Sequence, residues 1–105
     1  MAERGEVWQI DFGMVQKVRP GLVISVPYGD RDRALLAIVP HTTSLRDSDF
    51  EVPILVRFLE PGAFMIQGLV AVHPKLLIRR LGVLNPEQLA TVERRLRRWL
   101  GLGEA

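Results

Sequence analysis

Gly5-Glu6-Val7-Trp8-Gln9-Ile10-Asp11-Phe12 opens the chain with alternating apolar and polar side chains, interrupted at Trp8. A period of two predicts a half-buried strand, and Gly13 ends it. Leu22-Val23-Ile24-Ser25-Val26 is a short β-branched run closed by the turn residues Pro27, Gly29 and Asp30. Residues 34–39 are almost all apolar and read as a buried strand. Residues 50–56 predict another strand, and Pro53 inside it marks an edge or a bulge. After the turn at Pro61-Gly62, residues 63–72 predict one long apolar strand, with Gln67-Gly68 at its middle as the mark of a bulge or bend. Residues 76–84 follow a turn at His73-Pro74 as the last strand, with Arg79-Arg80 set between apolar neighbours.

The pattern then changes period. Asn85 suits a helix N-cap, Pro86 the first helical position, and Gln88 completes a capping box. Leu89, Val92, Leu96, Trp99 and Leu100 recur at helical spacing, while Arg94, Arg95, Arg97 and Arg98 lie mostly elsewhere and complement the dipole at the C-terminal end. Gly101 and Gly103 stop the helix. Strands followed by one terminal helix predict a mainly β (α+β) fold, a small barrel with a helix packed on it. The strand at 63–72 and the face of Leu96, Trp99 and Leu100 carry more apolar surface than one small barrel needs for its interior. They are expected to offer a partner surface, with Leu89 and Val92 in the core.

Composition narrows the class. With 105 residues the chain is long enough for one domain, 1–105, and not two. It has no cysteine, which excludes a disulfide framework, a thiolate metal site and a cysteine nucleophile, and fits a reducing compartment. The polar start and the absence of a long apolar run predict no signal peptide and no membrane partner, hence a soluble, cytoplasmic protein. The net charge of +2 conceals an asymmetry: residues 1–60 carry 7 basic and 9 acidic side chains, residues 61–103 carry 7 and 2. A basic half suits either a phosphate-bearing partner or a solvated helix surface.

Candidate chemistry is sparse. His41 and His73 are far apart and no His/Asp cluster has ligand spacing, so a metal site is not expected. There is no glycine-rich phosphate loop, and Tyr28 as the sole tyrosine does not make an RNA-recognition-motif platform. Two short constellations remain. In Val18-Arg19-Pro20-Gly21-Leu22, Pro20 fixes its own φ and biases Arg19 toward an extended backbone, presenting a guanidinium at a strand entrance. In Val39-Pro40-His41-Thr42-Thr43-Ser44, a buried strand ends in proline and a run of hydroxyls. Taken singly, the first also serves as a device for starting a strand and the second as a turn.

Together, in order and spacing, these pieces resemble the MazF/PemK family of toxin–antitoxin toxins. Arg4-Gly5-Glu6-Val7-Trp8 is similar to the family's R-G-[ED]-[VI]-[WY] start, and Arg19-Pro20-Gly21-Leu22-Val23-Ile24 to its R-P-x-[LV]-V-[IV] strand. The block from Val39 to Ser44 resembles V-x-P-[IV]-T-S, with one residue more between the proline and the last threonine or with the proline shifted by one, and Leu81-Gly82 with Leu84-Asn85-Pro86-Glu87-Gln88-Leu89 resembles R-L-G-x-L-[ST]-x-E-x-[LM]. The resemblance implies an SH3-like β-barrel and a homodimer. It also implies a sequence-specific endoribonuclease that needs neither metal nor cofactor. Arg19 and Thr43 take the positions of the catalytic pair: the guanidinium would stabilise phosphorane charge and the hydroxyl would align the phosphate of a single-stranded RNA. Ser44, Thr42, Gln67, Lys17 and His41 are the expected substrate-binding residues. The implied partner is a small, MazE-like antitoxin, a DNA-binding dimer that would carry the toxin to operator DNA.

Two departures accompany the resemblance. Residues 13–18 form a shorter and more apolar loop than many relatives have, which predicts a more open site. Where the family often has Asp-Gln-x-Arg-Thr-[ILV]-Asp, this chain has Gln67-Gly68-Leu69-Val70-Ala71-Val72-His73. Gln67 cannot take a proton in place of an aspartate. An alternative therefore stands beside the nuclease: a slow or inactive toxin-fold binding protein, gyrase-binding like CcdB, or an antitoxin's corepressor.

Overall fold

A computed structural model describes residues 2–15 and 17–103. It contains seven strands and one α-helix: β1 (Glu6–Asp11), β2 (Val18–Val23), β3 (Leu36–Thr42), β4 (Glu51–Val52), β5 (Ala63–Met65), β6 (Val70–Val72), β7 (Leu77–Val83) and α1 (Pro86–Leu100). The antiparallel sheet runs β4-β5-β3-β2-β1-β7, and β6 also pairs with β3. Among the described residues no ladder joins β4 to β7, so the expected closure into a barrel is not made by hydrogen bonds.

The central strands are buried on both faces. Val7, Leu22 and Val39 enter one core with Val52, Phe64, Val92 and Leu96, whereas Ile10, Val23 and Ile38 enter a second with Leu36 and Val72. Trp8 and Phe12 pack on that second core. This explains why Trp8 appears to break the alternation: Trp8, Ile10 and Phe12 keep period two on one face, while Val7 serves the other. The unbroken apolar run 34–39 has the same cause, because a strand covered on both sides has no polar face.

Several expected boundaries shift for identifiable reasons. β2 begins at Val18 instead of Leu22, because the hairpin from β1 sets Gln9 opposite Pro20 and Ile10 opposite Arg19. β3 starts at Leu36 and continues through Pro40 to Thr42, pairing His41 with Phe64 and Thr42 with Ala63. β4 stops at Val52, since Pro53 has no N–H for the ladder. The long strand expected at 63–72 is broken by a 3-10 turn at Ile66–Gly68. That turn steps past Pro40, so that β5 pairs with the end of β3 and β6 with its beginning, Leu36 to Ile38. A side chain at Gly68 would press on Met65 and the Pro40 ring.

The helix follows its sequence signals. The Asn85 side chain accepts from the Gln88 N–H at 2.8 Å, and Gln88 accepts from the Asn85 N–H at 2.9 Å. Gly101 closes the helix in the left-handed region at φ 68°. Val92 and Leu96 are buried, so Leu96 belongs to the core and not to the expected partner surface. Ala63, Phe64, Ile66 and Val72 are buried as well, which removes these four residues of the 63–72 segment from that surface. Trp99, at 42% exposure, leans on the Phe50 ring at 5.2 Å, and Leu100 and Leu102 stay exposed. Arg98 lies over the same Phe50 ring, 5.3 Å from its centre, and Arg4 pairs with Glu93.

Two polar groups in the sheet link the fold to pH. The side chain of Glu6 accepts from the Glu3 N–H at 2.8 Å, from the Trp8 indole at 3.0 Å and from Arg80 at 3.2 Å. Desolvation pushes the Glu6 carboxyl up, but these donors outweigh it and hold it below its usual range. His41 is only 3% exposed, and its Nε2 meets no hydrogen-bond partner among the described residues. Burial pushes its pKa below the ordinary 6.5.

Replacing Leu96 with alanine is expected to cost about 2–5 kcal/mol. Asn85→Ala, which removes one half of a capping box, should cost about 1 kcal/mol. Urea denaturation of both variants checks the order. Because the folded His41 resists protonation, stability should be complete above the unfolded pKa of 6.5 and fall as the pH drops below it, since the unfolded chain takes the proton first. The Glu6 contribution is lost only on further acidification, below the ordinary carboxylate value of 4.5. Urea midpoints measured from about pH 7.5 to 5.5 should therefore decline in the native chain and flatten in His41→Leu; an unchanged slope in that variant would assign the effect elsewhere.

Candidate functional site

A groove of ≈ 680 Å³ opens beside the first core, at the end of the sheet where β2 begins and β3 ends. Its floor is a row of neighbours on adjacent strands. Arg79 on β7 pairs with Gln9 on β1, and Gln9 pairs with Pro20 on β2. Extending the β2–β3 register, in which Gly21 faces Pro40, brings Arg19 across from Thr42. Thr43 and Ser44 continue from β3 along the rim, and Phe58, Leu59, Glu60 and Leu81 complete the lining.

Six of the seven residues named from sequence line this one groove: Lys17, Arg19, His41, Thr42, Thr43 and Ser44. They arrive by different routes. Arg19 is half-buried on β2, held by the strand that Pro20 and Gly21 continue into the core. Lys17 sits in the left-handed region at φ 58° and closes the β1–β2 loop: its N–H donates to Gly13 at 2.6 Å, and its carbonyl accepts from Phe12 at 2.9 Å. Of the expected apolar loop, Gly13 to Val18, the residue Gln16 lies outside the described residues. Met14 and Val15 are almost wholly exposed, and Val15 borders the groove.

The hydroxyl run is divided by geometry. Thr42 is buried, and its Oγ1 accepts from the Ser44 N–H at 3.0 Å, which shapes the bend. Thr43 and Ser44 are exposed where they line the groove. His41 contributes a wall, not a charge. It packs edge-on against Phe64 at 5.1 Å, and with its pKa pushed down by burial it stays neutral at pH 7. Gln67 does not line the groove; it is exposed on the 3-10 turn at Ile66–Gly68. His73 is elsewhere too: its Nδ1 accepts from the Lys75 N–H at 3.1 Å and caps a short turn beside a smaller cavity.

Gln9, Phe58, Glu60 and Arg79 are among the groove residues that sequence did not assign to the site. Gln9 and Arg79 follow from strand alternation once β1 and β7 are known to pair, because one of the two arginines must face each side. Arg80 takes the other side, where it pairs with Glu6 at 3.2 Å. Phe58 and Glu60 lie in a segment without periodicity, and only the folded chain brings them to the groove. Lys17, Arg19 and Arg79 make three cations against one carboxylate, Glu60, so the groove is positively charged. This arrangement suits a phosphodiester. Among the described residues no helix is long and apolar enough to cross a membrane.

Comparison with known structures places the fold. The chain matches, over its full length, an endoribonuclease from a mycobacterial species in complex with its cognate antitoxin, with a TM-score of 0.84, 23% identity and 100% of both chains covered. It matches MazE–MazF of Deinococcus radiodurans at 0.78 and 21% identity over 95% of each chain. The Mycobacterium tuberculosis toxin MazF-mt6 superposes at 0.78 with 20% identity, over 93% of this chain and 98% of that one. A search of curated proteins found no match. The family model for the PemK-like, MazF-like toxin of type II toxin–antitoxin systems covers residues 3–100. With that span matched and the paired Arg19 and hydroxyl run at one groove, the chain belongs to the PemK/MazF-like toxin family of type II toxin–antitoxin systems.

Proposed function

We propose that this toxin is an endoribonuclease that cuts single-stranded RNA at the groove, with Arg19 and Thr43 as its catalytic pair. The observation that carries this reading is the meeting of Arg19, Thr43, Ser44 and Lys17 in one cationic cleft. The 2′ oxygen of the substrate attacks the adjacent phosphorus, the bond from phosphorus to O5′ breaks, and the products are a 2′,3′-cyclic phosphate and a 5′-OH. Arg19 stabilises the charge that grows on the nonbridging oxygens; a guanidinium remains ionised and offers paired donors. Thr43 aligns the phosphate, and Ser44 stands next to it as a second hydroxyl. Glu60, the one carboxylate of the groove among the described residues, is the acceptor we assign to the 2′-OH proton. The departing O5′ takes its proton from solvent. These steps run through protein side chains and call for no metal ion.

The fifth-strand departure loses part of its weight in this scheme. Gln67 lies outside the groove, and a carboxylate reaches the site from the segment before β5 instead. We read the sheet as the SH3-like barrel of such toxins. Val52 of β4 and Val7 of β1 share a core with Val92 and Leu96 of α1, so side-chain packing draws the two ends together. The protein would act in the cytoplasm as a homodimer, restrained by an antitoxin. Trp99, Leu100 and Leu102 at the end of α1 are exposed apolar groups suited to such partners.

Incubation with a long single-stranded RNA in EDTA should yield fragments with 5′-OH ends. Arg19→Ala should slow cleavage about a hundred- to a thousandfold. Thr43→Ala should slow it about tenfold or more, as loss of one aligning hydrogen bond does. Cleavage that persists in both variants would reject the pair. If instead the native protein leaves RNA intact but binds gyrase, or operator DNA together with an antitoxin, the binding-protein reading replaces this one.

In the same assay, Glu60→Gln keeps the shape of the side chain and removes the proton acceptor. It should lower the rate about a hundredfold. A rate unaffected by Glu60→Gln would leave solvent as the acceptor.

A further inference from the structure

The groove is longer than one phosphate requires, and its far end differs in chemistry. There Phe58 and Leu81 are half-buried apolar groups, Gln9 is a half-buried amide, and Arg79 is an exposed cation. Phe58 is held by an unusual contact. A Cβ built on Gly82 would lie 2.4, 2.5 and 2.7 Å from three adjacent carbons of the Phe58 ring. Such near-equal distances arise only when the ring is approached through its face, because an approach in the ring plane would leave the flanking carbons markedly farther away. Gly82 therefore presses on one face of Phe58, and the absent side chain is what lets the ring lie flat on β7. The ring also packs on the first core, so it is fixed before any ligand arrives.

Gln9 points from β1 into the same space, because it pairs with Arg79 on one side and Pro20 on the other, and all three line the groove. Its amide makes no hydrogen bond among the described residues, although it can donate two and accept two. Arg79 likewise has no ion pair among the described residues, in contrast to Arg80, which holds Glu6. A flat aromatic group, an amide that no protein group engages among the described residues and a cation, side by side, match the three parts of a nucleotide: a base plane, a base edge and a phosphate.

We infer that this end of the groove is a nucleobase subsite, in which Phe58 stacks an unpaired base next to the cut phosphate. Gln9 reads the edge of that base, and Arg79 grips the next phosphate along the strand. The inference rests on the reading of the groove as an RNA site and extends it: it assigns the substrate an unstacked base at a fixed distance from Arg19. Duplex RNA, whose bases are stacked on one another, does not supply such a base.

The test measures binding without cleavage. The probes are 2′-O-methyl oligomers of uridine, adenosine and cytidine, and an abasic ribose-phosphate oligomer of equal length; none has the 2′-OH nucleophile. The native protein is expected to bind the best of the base-bearing oligomers about tenfold or more above the abasic one. Phe58→Leu keeps an apolar side chain but removes the π face, and should collapse that ratio toward one, while Phe58→Tyr should preserve it. Gln9→Leu should keep the ratio and flatten the differences among the three bases. Arg79→Ala should weaken every oligomer alike and reduce the salt dependence. Equal loss of base-bearing and abasic binding in Phe58→Leu, or no loss, overturns the subsite. So does undiminished discrimination in Gln9→Leu, which decides the matter if Phe58→Leu fails to fold by circular dichroism. Cleavage of natural RNA by the native protein, run in parallel, separates the two readings. Cutting without a base ratio refutes the subsite alone. A base ratio without cutting supports the subsite and refutes the nuclease.

Discussion

Burial of β1, β2 and β3 on both faces governs this molecule. Each of these strands gives alternate side chains to two apolar cores, and a register slip of one residue would exchange the two sets and expose both. The register is therefore held rigidly where Val7 meets Leu22 and where Leu22 meets Val39. The groove lies at the end of the same strands. Arg19, Pro20 and Gln9 take their places as the continuation of ladders that the cores have already set. A guanidinium whose backbone is so anchored would have less freedom to lose in the proposed reaction, which favours stabilisation by preorganised charge.

Close backbone approaches finish the site. Gly62 passes so near β3 that a Cβ would lie 2.2 Å from the Thr42 carbonyl oxygen, and Gly82 passes under the Phe58 ring. Together these contacts draw the segment carrying Phe58 and Glu60 over the ends of β1 and β7. This part of the groove lining thus comes from a stretch with almost no regular structure. His41 seals the base of the cleft as a neutral, edge-packed ring, and leaves the positive charge of the groove to Lys17, Arg19 and Arg79.

Membership of the PemK/MazF-like toxin family and the departures from its usual fifth-strand block fit together in this geometry. The 3-10 turn at Ile66–Gly68 directs Gln67 away from the cleft. The chemistry proposed for the cleft draws its carboxylate from Glu60, its amide from Gln9 and its aromatic surface from Phe58. The family scaffold supplies the arginine and the hydroxyls, and other parts of the chain furnish the remainder of the groove.

Local signals were decisive wherever a residue acts on its neighbours in the chain. The capping box of Asn85 and Gln88, the stop at Gly101, the strand around Val7 to Asp11 and the turn near Gly68 are all short-range consequences of backbone chemistry. The order of the Arg19-Pro20 and Thr42-Thr43-Ser44 segments, through the family resemblance it carries, singled out residues that line one groove in the folded chain. Sequence could not show that the apolar run at 63–72 bends back to pair twice with β3, because the cause is Pro40, remote in sequence, whose missing N–H interrupts the ladder. Nor could it show that Leu96 is core, that Gln67 faces away, or that Phe58, Glu60, Gln9 and Arg79 share a cavity. Those facts depend on which strands become neighbours, and that choice is made by the simultaneous filling of two cores, a condition no local window of residues contains.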